Sequence, residues 1–180
     1  MSLPSLGSLT SLPVLDHLDL VGAPVASALT GWPSASGVAV VEIDPALADT
    51  AAMSEAYEVP LEASANCVVV AGRRAGEERV AACVVRADTR ADVNTAVRRL
   101  LDVRKCSFLS TERAVAEASM EYGGITPVGL PDPWRLLLDT RVVDIDVAVI
   151  GAGVRSAKLL LPGGLLAELP HAEVVDGLAG

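Results

Sequence analysis

Apolar residues in this chain come in short bursts separated by turn-forming residues, and most bursts predict one element. Val38-Ala39-Val40-Val41-Glu42-Ile43, closed by Asp44-Pro45, predicts a buried strand. Thr50 to Tyr57 is alanine-rich and predicts a helix with Thr50 as its cap. The runs Cys67 to Ala71 and Val80 to Val85 flank a charged, glycine-containing stretch, Gly72 to Arg79, and predict a hairpin. Asp92 then caps a helix whose apolar Val93, Val97, Leu100 and Leu101 share one face. Lys105 to Leu109 predicts another strand, and Ser110 or Thr111 opens a helix through Met120 that Gly123-Gly124 ends. After Pro131-Asp132-Pro133, the runs Leu136 to Asp139, Val147 to Ile150 and Leu159 to Leu161 predict three more strands.

The first 35 residues are less regular. Met1 to Pro13 reads as an irregular arm, and Ala23 to Thr30 as a short helix stopped by Gly31 and Pro33. No internal repeat or inter-domain linker is visible. Strands and helices mix, and hairpins are present. The prediction is therefore α+β: one domain with a mixed, largely antiparallel sheet flanked by helices. The expected organisation is an arm with a short helix over residues 1–35 and one domain over 36–180.

Composition sharpens this picture. Aromatic residues are 3% of the 180, so Ala, Val and Leu must fill the interior. Lys and Arg number 14 against 23 Asp and Glu, a net charge of −9, and only Lys105 and Lys158 are lysines. Such a balance counts against tight, indiscriminate nucleic-acid binding, including DNA, because that rests on cations neutralising phosphates. It leaves room for brief docking of one nucleic-acid end on a local basic patch. Cys67, Cys83 and Cys106 never pair as C-x-x-C, and His17 and His171 lie at opposite ends, so no zinc spacing exists. The cysteines read as small buried residues in a reducing compartment. Nothing resembles a signal peptide and no apolar run would span a bilayer, so a cytoplasmic location without membrane attachment is expected.

The chemistry concentrates in Tyr122-Gly123-Gly124-Ile125-Thr126-Pro127-Val128-Gly129-Leu130-Pro131. Glycines let a substrate carbonyl or ribose approach main-chain N–H groups, and the prolines fix the path of the loop. That suits an oxyanion or ribose site built from backbone; the residues alone fit a helix-ending turn equally well. Gly-Gly-Ile-Thr-Pro-Val-Gly is similar to the Gly-Gly-Val/Ile-Ser-Pro-x-Gly signature of the YbaK/EbsC family, which includes the editing domain inserted in bacterial prolyl-tRNA synthetases. The family's Gly-x-x-x-Pro element falls on Gly123 and Pro127. Arg86-Ala87-Asp88-Thr89-Arg90-Ala91-Asp92 and Ile150-Gly151-Ala152-Gly153-Val154-Arg155 resemble further family segments in the same order, so the resemblance covers about residues 36 to 178.

The resemblance implies hydrolysis of the ester joining a wrong amino acid, commonly Ala or Cys, to the 3′ end of tRNA for proline. It implies no cofactor, metal or covalent nucleophile. Mischarged tRNA would be the partner, with an aminoacyl-tRNA synthetase as a further one. The family usually carries a lysine where this chain has Asn66, whose amide can donate a hydrogen bond but supplies no charge. Cys67, next along the strand, would face the other way into the core. The expected catalytic set is Asn66, Gly123, Thr126 and Pro127; Gly124, Ile125, Asp139, Gly151, Gly153 and Arg155 would bind substrate. Arg98, Arg99, Arg104 and Lys105 form the basic cluster that would steer the tRNA end, unless it is an ordinary solvated helix face.

Two other readings follow from the residues. A relative that kept the fold and lost the lysine would bind tRNA or a protein partner without catalysis. Val147 to Ser156 also mimics a strand entering a dinucleotide-binding glycine loop. There Ser156 occupies the third glycine position, and Pro162-Gly163-Gly164 would break the helix that should follow.

Overall fold

The computed structural model of the chain describes residues 2–180, so Met1 of the predicted arm lies outside the described residues. Its strands are β1 (Leu12–Pro13), β2 (Ala39–Glu42), β3 (Ala65–Arg74), β4 (Glu77–Arg86), β5 (Cys106–Phe108), β6 (Arg135–Asp139), β7 (Ala148–Gly151), β8 (Ala157–Leu161) and β9 (Ala172–Val175). Its α-helices are α1 (Ala23–Gly31), α2 (Thr50–Ala56), α3 (Arg98–Leu101), α4 (Thr111–Ala118) and α5 (Thr140–Val143), with several 3-10 turns between them. The fold is α+β, as the hydrophobic pattern predicts, but the strands divide into two sheets instead of one.

The first sheet has the order β1-β2-β8-β7 and is antiparallel throughout. The second has the order β5-β3-β4-β6-β9; β3 pairs antiparallel with β5 and β4, whereas β6 runs parallel to both β4 and β9. A parallel bridge between Ser64 and Val149 joins the two sheets just before β3 begins.

Continuous apolar runs arise because both faces of both sheets are covered. Along β4, Ala82 and Val84 enter the largest core cluster, while Ala81, Cys83 and Val85 pack against Val93, Val97 and Leu101 on the opposite face. Along β8, Leu159 and Leu161 enter the largest cluster, and Leu160 joins Val41, Val149 and Met53 behind it. The amino-terminal segment belongs to the same core: β1 pairs with β2, and Val14, Val25 and Leu29 are buried in the largest cluster.

Local details differ from the expectations in physically simple ways. Asp49, not Thr50, caps α2, its carboxylate accepting from Ala51 N at 3.1 Å. The hairpin strands run on to Arg74 and from Glu77, and the turn is only Ala75-Gly76, with φ of +50° and +80°. Positive φ at both central residues matches the twist of the flanking strands. Asp92 caps a wide turn over Val93–Val97 that tightens into α3. Helix α4 ends at Ser119, φ +54°, before the glycine pair is reached.

Candidate active site

A cavity of about 540 Å³ opens where the start of β3, the start of α2, the glycine loop and the β7–β8 connection meet. Its volume falls within the usual range for small-ligand sites. Met53, Val69, Ala114, Ile125, Val149 and Ile150 give it an apolar side. Gly123 and Gly151 line another side, where main chain is close to the surface. Gly151 lies against the glycine loop so tightly that a Cβ there would sit 2.6 Å from Ile125 O and 2.7 Å from Gly124 O. The loop is tied to this segment by Gly153 N donating to Gly124 O at 2.7 Å and Glu121 N donating to Gly153 O at 3.0 Å.

The polar groups come from four elements. Asn66 on β3 is half-buried, and its Oδ1 accepts from the Thr50 hydroxyl at 2.9 Å. In this orientation the Asn66 NH₂ is left as a donor. Lys158 on β8 is 7% exposed; its ammonium donates to Ala48 O at 3.2 Å and Gly123 O at 3.3 Å. Burial holds the Lys158 pKa below the ordinary lysine value, and the nearby Arg155 charge adds to this while Asp49 opposes it. Arg155 donates to Tyr122 O and Pro45 O, both at 3.0 Å, and lies over the Tyr122 ring. Its backbone N–H donates to Glu121 at 2.7 Å. Arg155 is therefore a brace for the loop as well as a cavity residue.

Cys67 packs against the largest core cluster together with Ala65 and Val69, as strand alternation predicts, and it also lines this cavity. Burial pushes its thiol pKa well up, with Cys83 adding to the shift. A thiol so disposed stays protonated and is a poor nucleophile.

Of the residues singled out by sequence, Asn66, Gly123, Ile125, Gly151 and Arg155 meet around the one cavity. Gly124, Thr126, Pro127 and Gly153 do not line it. Thr126 and Pro127 are buried within the loop, and the Thr126 hydroxyl has no hydrogen-bond partner among the described residues. Gly153 packs beneath α1, where a Cβ would meet Val25 at 2.9 Å. Asp139 lies elsewhere: it caps α5 by accepting from Arg141 N at 3.0 Å and takes the Ala179 N–H at 3.0 Å. The expected pocket contact of Asp139 is thereby corrected. The glycines at 151 and 153 belong to a β7–β8 hairpin, so the strand-loop-helix that a dinucleotide site needs is not formed.

Lys158, Thr50 and Phe108 also line the cavity, and sequence reasoning passed over them as site residues; Tyr122, the first residue of the glycine motif but given no role there, lines it too. A signal existed for Lys158: it begins an otherwise aliphatic run, and the predicted strand started one residue too late to include it. Phe108 and Tyr122 are 62% and 65% exposed, in a chain with five aromatic residues. Phe108 is shared with a neighbouring groove lined by Arg73, Arg104 and Lys105. Arg104 and Lys105 are exposed there, whereas Arg98 and Arg99, also exposed, line neither hollow.

Among the described residues no cluster of three His, Cys, Asp or Glu is placed to hold a metal ion, and no helix is long and apolar enough to cross a membrane.

Three solved structures share this fold. A protein assigned as a trans-editing enzyme for prolyl tRNA synthetase superposes with a TM-score of 0.72 at 20% identity, covering 85% of this chain and 93% of its own. A hypothetical protein, APE2540, gives 0.69 at 19%, covering 78% and 90%. A scaffold used for epitope backbone grafting gives 0.73 at 19%, covering 86% and 95%. No curated protein matches the chain. Residues 44–169, well over half of the 180, match the family described as aminoacyl-tRNA editing domain. That span contains both sides of the cavity, and the chain belongs to the aminoacyl-tRNA editing domain family.

Proposed function

We propose that the chain is a trans-acting aminoacyl-tRNA deacylase that hydrolyses the ester of a tRNA carrying a small, wrong amino acid. The supporting observation is the single cavity that joins exposed main chain at Gly123 and Gly151, the Asn66 amide and an apolar side of fixed size. The ester carbonyl would lie against the glycine loop, with Asn66 as a polar partner. Met53, Val69, Ala114 and Ile150 would set the largest side chain admitted, as an editing sieve requires. Phe108 and Tyr122, exposed at the same cavity, offer faces on which the terminal bases stack, worth roughly 1–3 kcal/mol per base. Arg104 and Lys105 beside Phe108 meet the phosphates of that end.

A panel of mischarged tRNAs, Ala- and Cys-tRNA for proline among them, tests the reading with wild type and Gly123→Val. Gly123 has φ +79°, a conformation strained for valine, and a Cβ there would sit 2.7 Å from Arg155 Nη1, so the variant strains the loop and pushes Arg155 off its brace. Hydrolysis by the wild type and its loss in the variant are expected. The neutral Asn66 favours a second reading, a relative that binds the tRNA end without cleaving it. Binding of charged tRNA with no hydrolysis across the panel would select that reading.

A further inference from the structure

We propose that Lys158 is a catalytic residue of this cavity, its ammonium held on two main-chain carbonyls and donating its remaining N–H to the carbonyl oxygen of the bound ester. The proposal rests on the deacylase reading above and names the group that stabilises charge in it.

Lys158 occupies a strand position where a leucine would be expected. It is 7% exposed, stands opposite Val41 and Gly151 in register, and shares its face of β8 with buried Leu160. A buried ammonium costs free energy unless it is compensated. Among the described residues no carboxylate lies within salt-bridge distance of Lys158 to compensate it. Its compensation is two carbonyl oxygens, Ala48 O just before α2 and Gly123 O in the glycine loop. Both residues line the cavity, as Lys158 does, so the ammonium sits at the cavity surface between them. An ammonium has three donors. Two are taken, and the third has no acceptor within the described residues. A fixed, largely buried cation with one unspent N–H is the arrangement that favours an oxyanion. Burial and the Arg155 charge loosen its hold on the proton, which strengthens it as a donor.

The chemistry balances without a cofactor. Water oxygen bonds to the ester carbonyl carbon, and the carbonyl electron pair moves onto oxygen, where Lys158 meets the negative charge. The pair then returns, the bond to the ribose oxygen breaks, and that oxygen takes the proton that water loses. Free amino acid and tRNA leave, and nothing is oxidised or reduced. Asn66 contributes a neutral donor and the Arg155 guanidinium is tied to Tyr122 O and Pro45 O, so the charge offered to the ester is that of Lys158 on β8 instead of a β3 lysine.

The test uses a mischarged RNA that the wild type hydrolyses, with RNA binding followed separately by fluorescence anisotropy and folding by thermal melt. Lys158→Met is expected to lower kcat by about a hundredfold or more, the effect of deleting one oxyanion donor, with RNA affinity retained. Adding Asn66→Lys to Lys158→Met returns an ammonium from the other side of the cavity and is expected to restore much of the rate. Ethylammonium in the buffer is expected to rescue Lys158→Ala. An unimpaired Lys158→Met overturns the proposal. So does a folded, inactive variant that neither Asn66→Lys nor ethylammonium revives, because Lys158 would then only tie the loop to α2. A wild type inactive on every charged RNA overturns the deacylase reading itself and the proposal with it.

Discussion

Gly151 and Lys158 stand opposite each other in the β7–β8 pairing, and each holds the glycine loop by a different means. Gly151 does so by having no side chain. In Gly151→Ala the new Cβ would meet the carbonyls of Ile125 and Gly124 at 2.6 and 2.7 Å. The loop must shift, at a cost of about 1–3 kcal/mol, which a lowered melting temperature would report. Lys158 holds the loop through charge, and its contribution depends on pH. Its pKa in the folded chain lies below the ordinary lysine value because of burial and Arg155, with Asp49 opposing. The unfolded chain therefore binds this proton more readily, and folding is penalised at neutral pH. The penalty fades as pH rises through the folded value toward the unfolded one. Urea denaturation at about pH 7 and about pH 10 should show wild type gaining stability relative to Lys158→Met on the alkaline side. A difference independent of pH would mean that the ammonium is not the cause.

Asp139 shows how an element can claim a residue that its type would allow to a pocket. One oxygen caps α5 and the other accepts from Ala179, which pins the end of the chain beneath β6. Asp139→Ala removes the cap, about 1 kcal/mol, and leaves a buried N–H unmatched, roughly 1–3 kcal/mol more. The expected result is a clear loss in chemical denaturation with kcat on mischarged RNA retained, since the carboxylate lies outside the cavity. Strands buried on both faces, such as β4 and β8, were readable because every residue is apolar whichever way it points. The pieces α5, β1 and β9 were not. Thr140-Arg141-Val142-Val143 carries a β-branched signal, and only capping by Asp139 and packing against the sheet make it helical. Strand alternation placed Cys67 with the core, where it packs, but alternation does not say that a cavity also reaches it.

An acidic chain that receives an RNA end must keep its few free cations where the end arrives. Arg104 and Lys105 satisfy that condition beside Phe108, whereas Arg98 and Arg99 lie away from the groove on α3. Replacing Arg104 and Lys105 together by Glu should weaken binding of tRNA and flatten its dependence on salt, because fewer counterions are released. The same change at Arg98 and Arg99 should alter the salt slope much less. Anisotropy titrations at several ionic strengths would separate the two pairs. In the sequence all four read as one cluster, since neighbours in the chain cannot be told apart until the chain leaves α3 and joins the sheet edge at β5. For the same reason the motif at 122–131 was readable as a site, while its meeting with residues 50, 66 and 158 required the completed fold.

Because one side of the cavity is main chain at Gly123 and Gly151, substitution has little hold on it. Peptide units have no rotamers to choose and no alternative chemistry to offer; any Cβ at Gly151 collides with a carbonyl. On the proposed reading, a change of amino-acid preference would fall to Met53, Cys67, Val69, Ala114 and Ile150, where volume can be traded without altering the main chain at Gly123 and Gly151. On the proposed deacylase reading, the groups that would cleave and the groups that would choose are different residues of the cavity. A library confined to those five positions would search specificity while leaving the reaction in place.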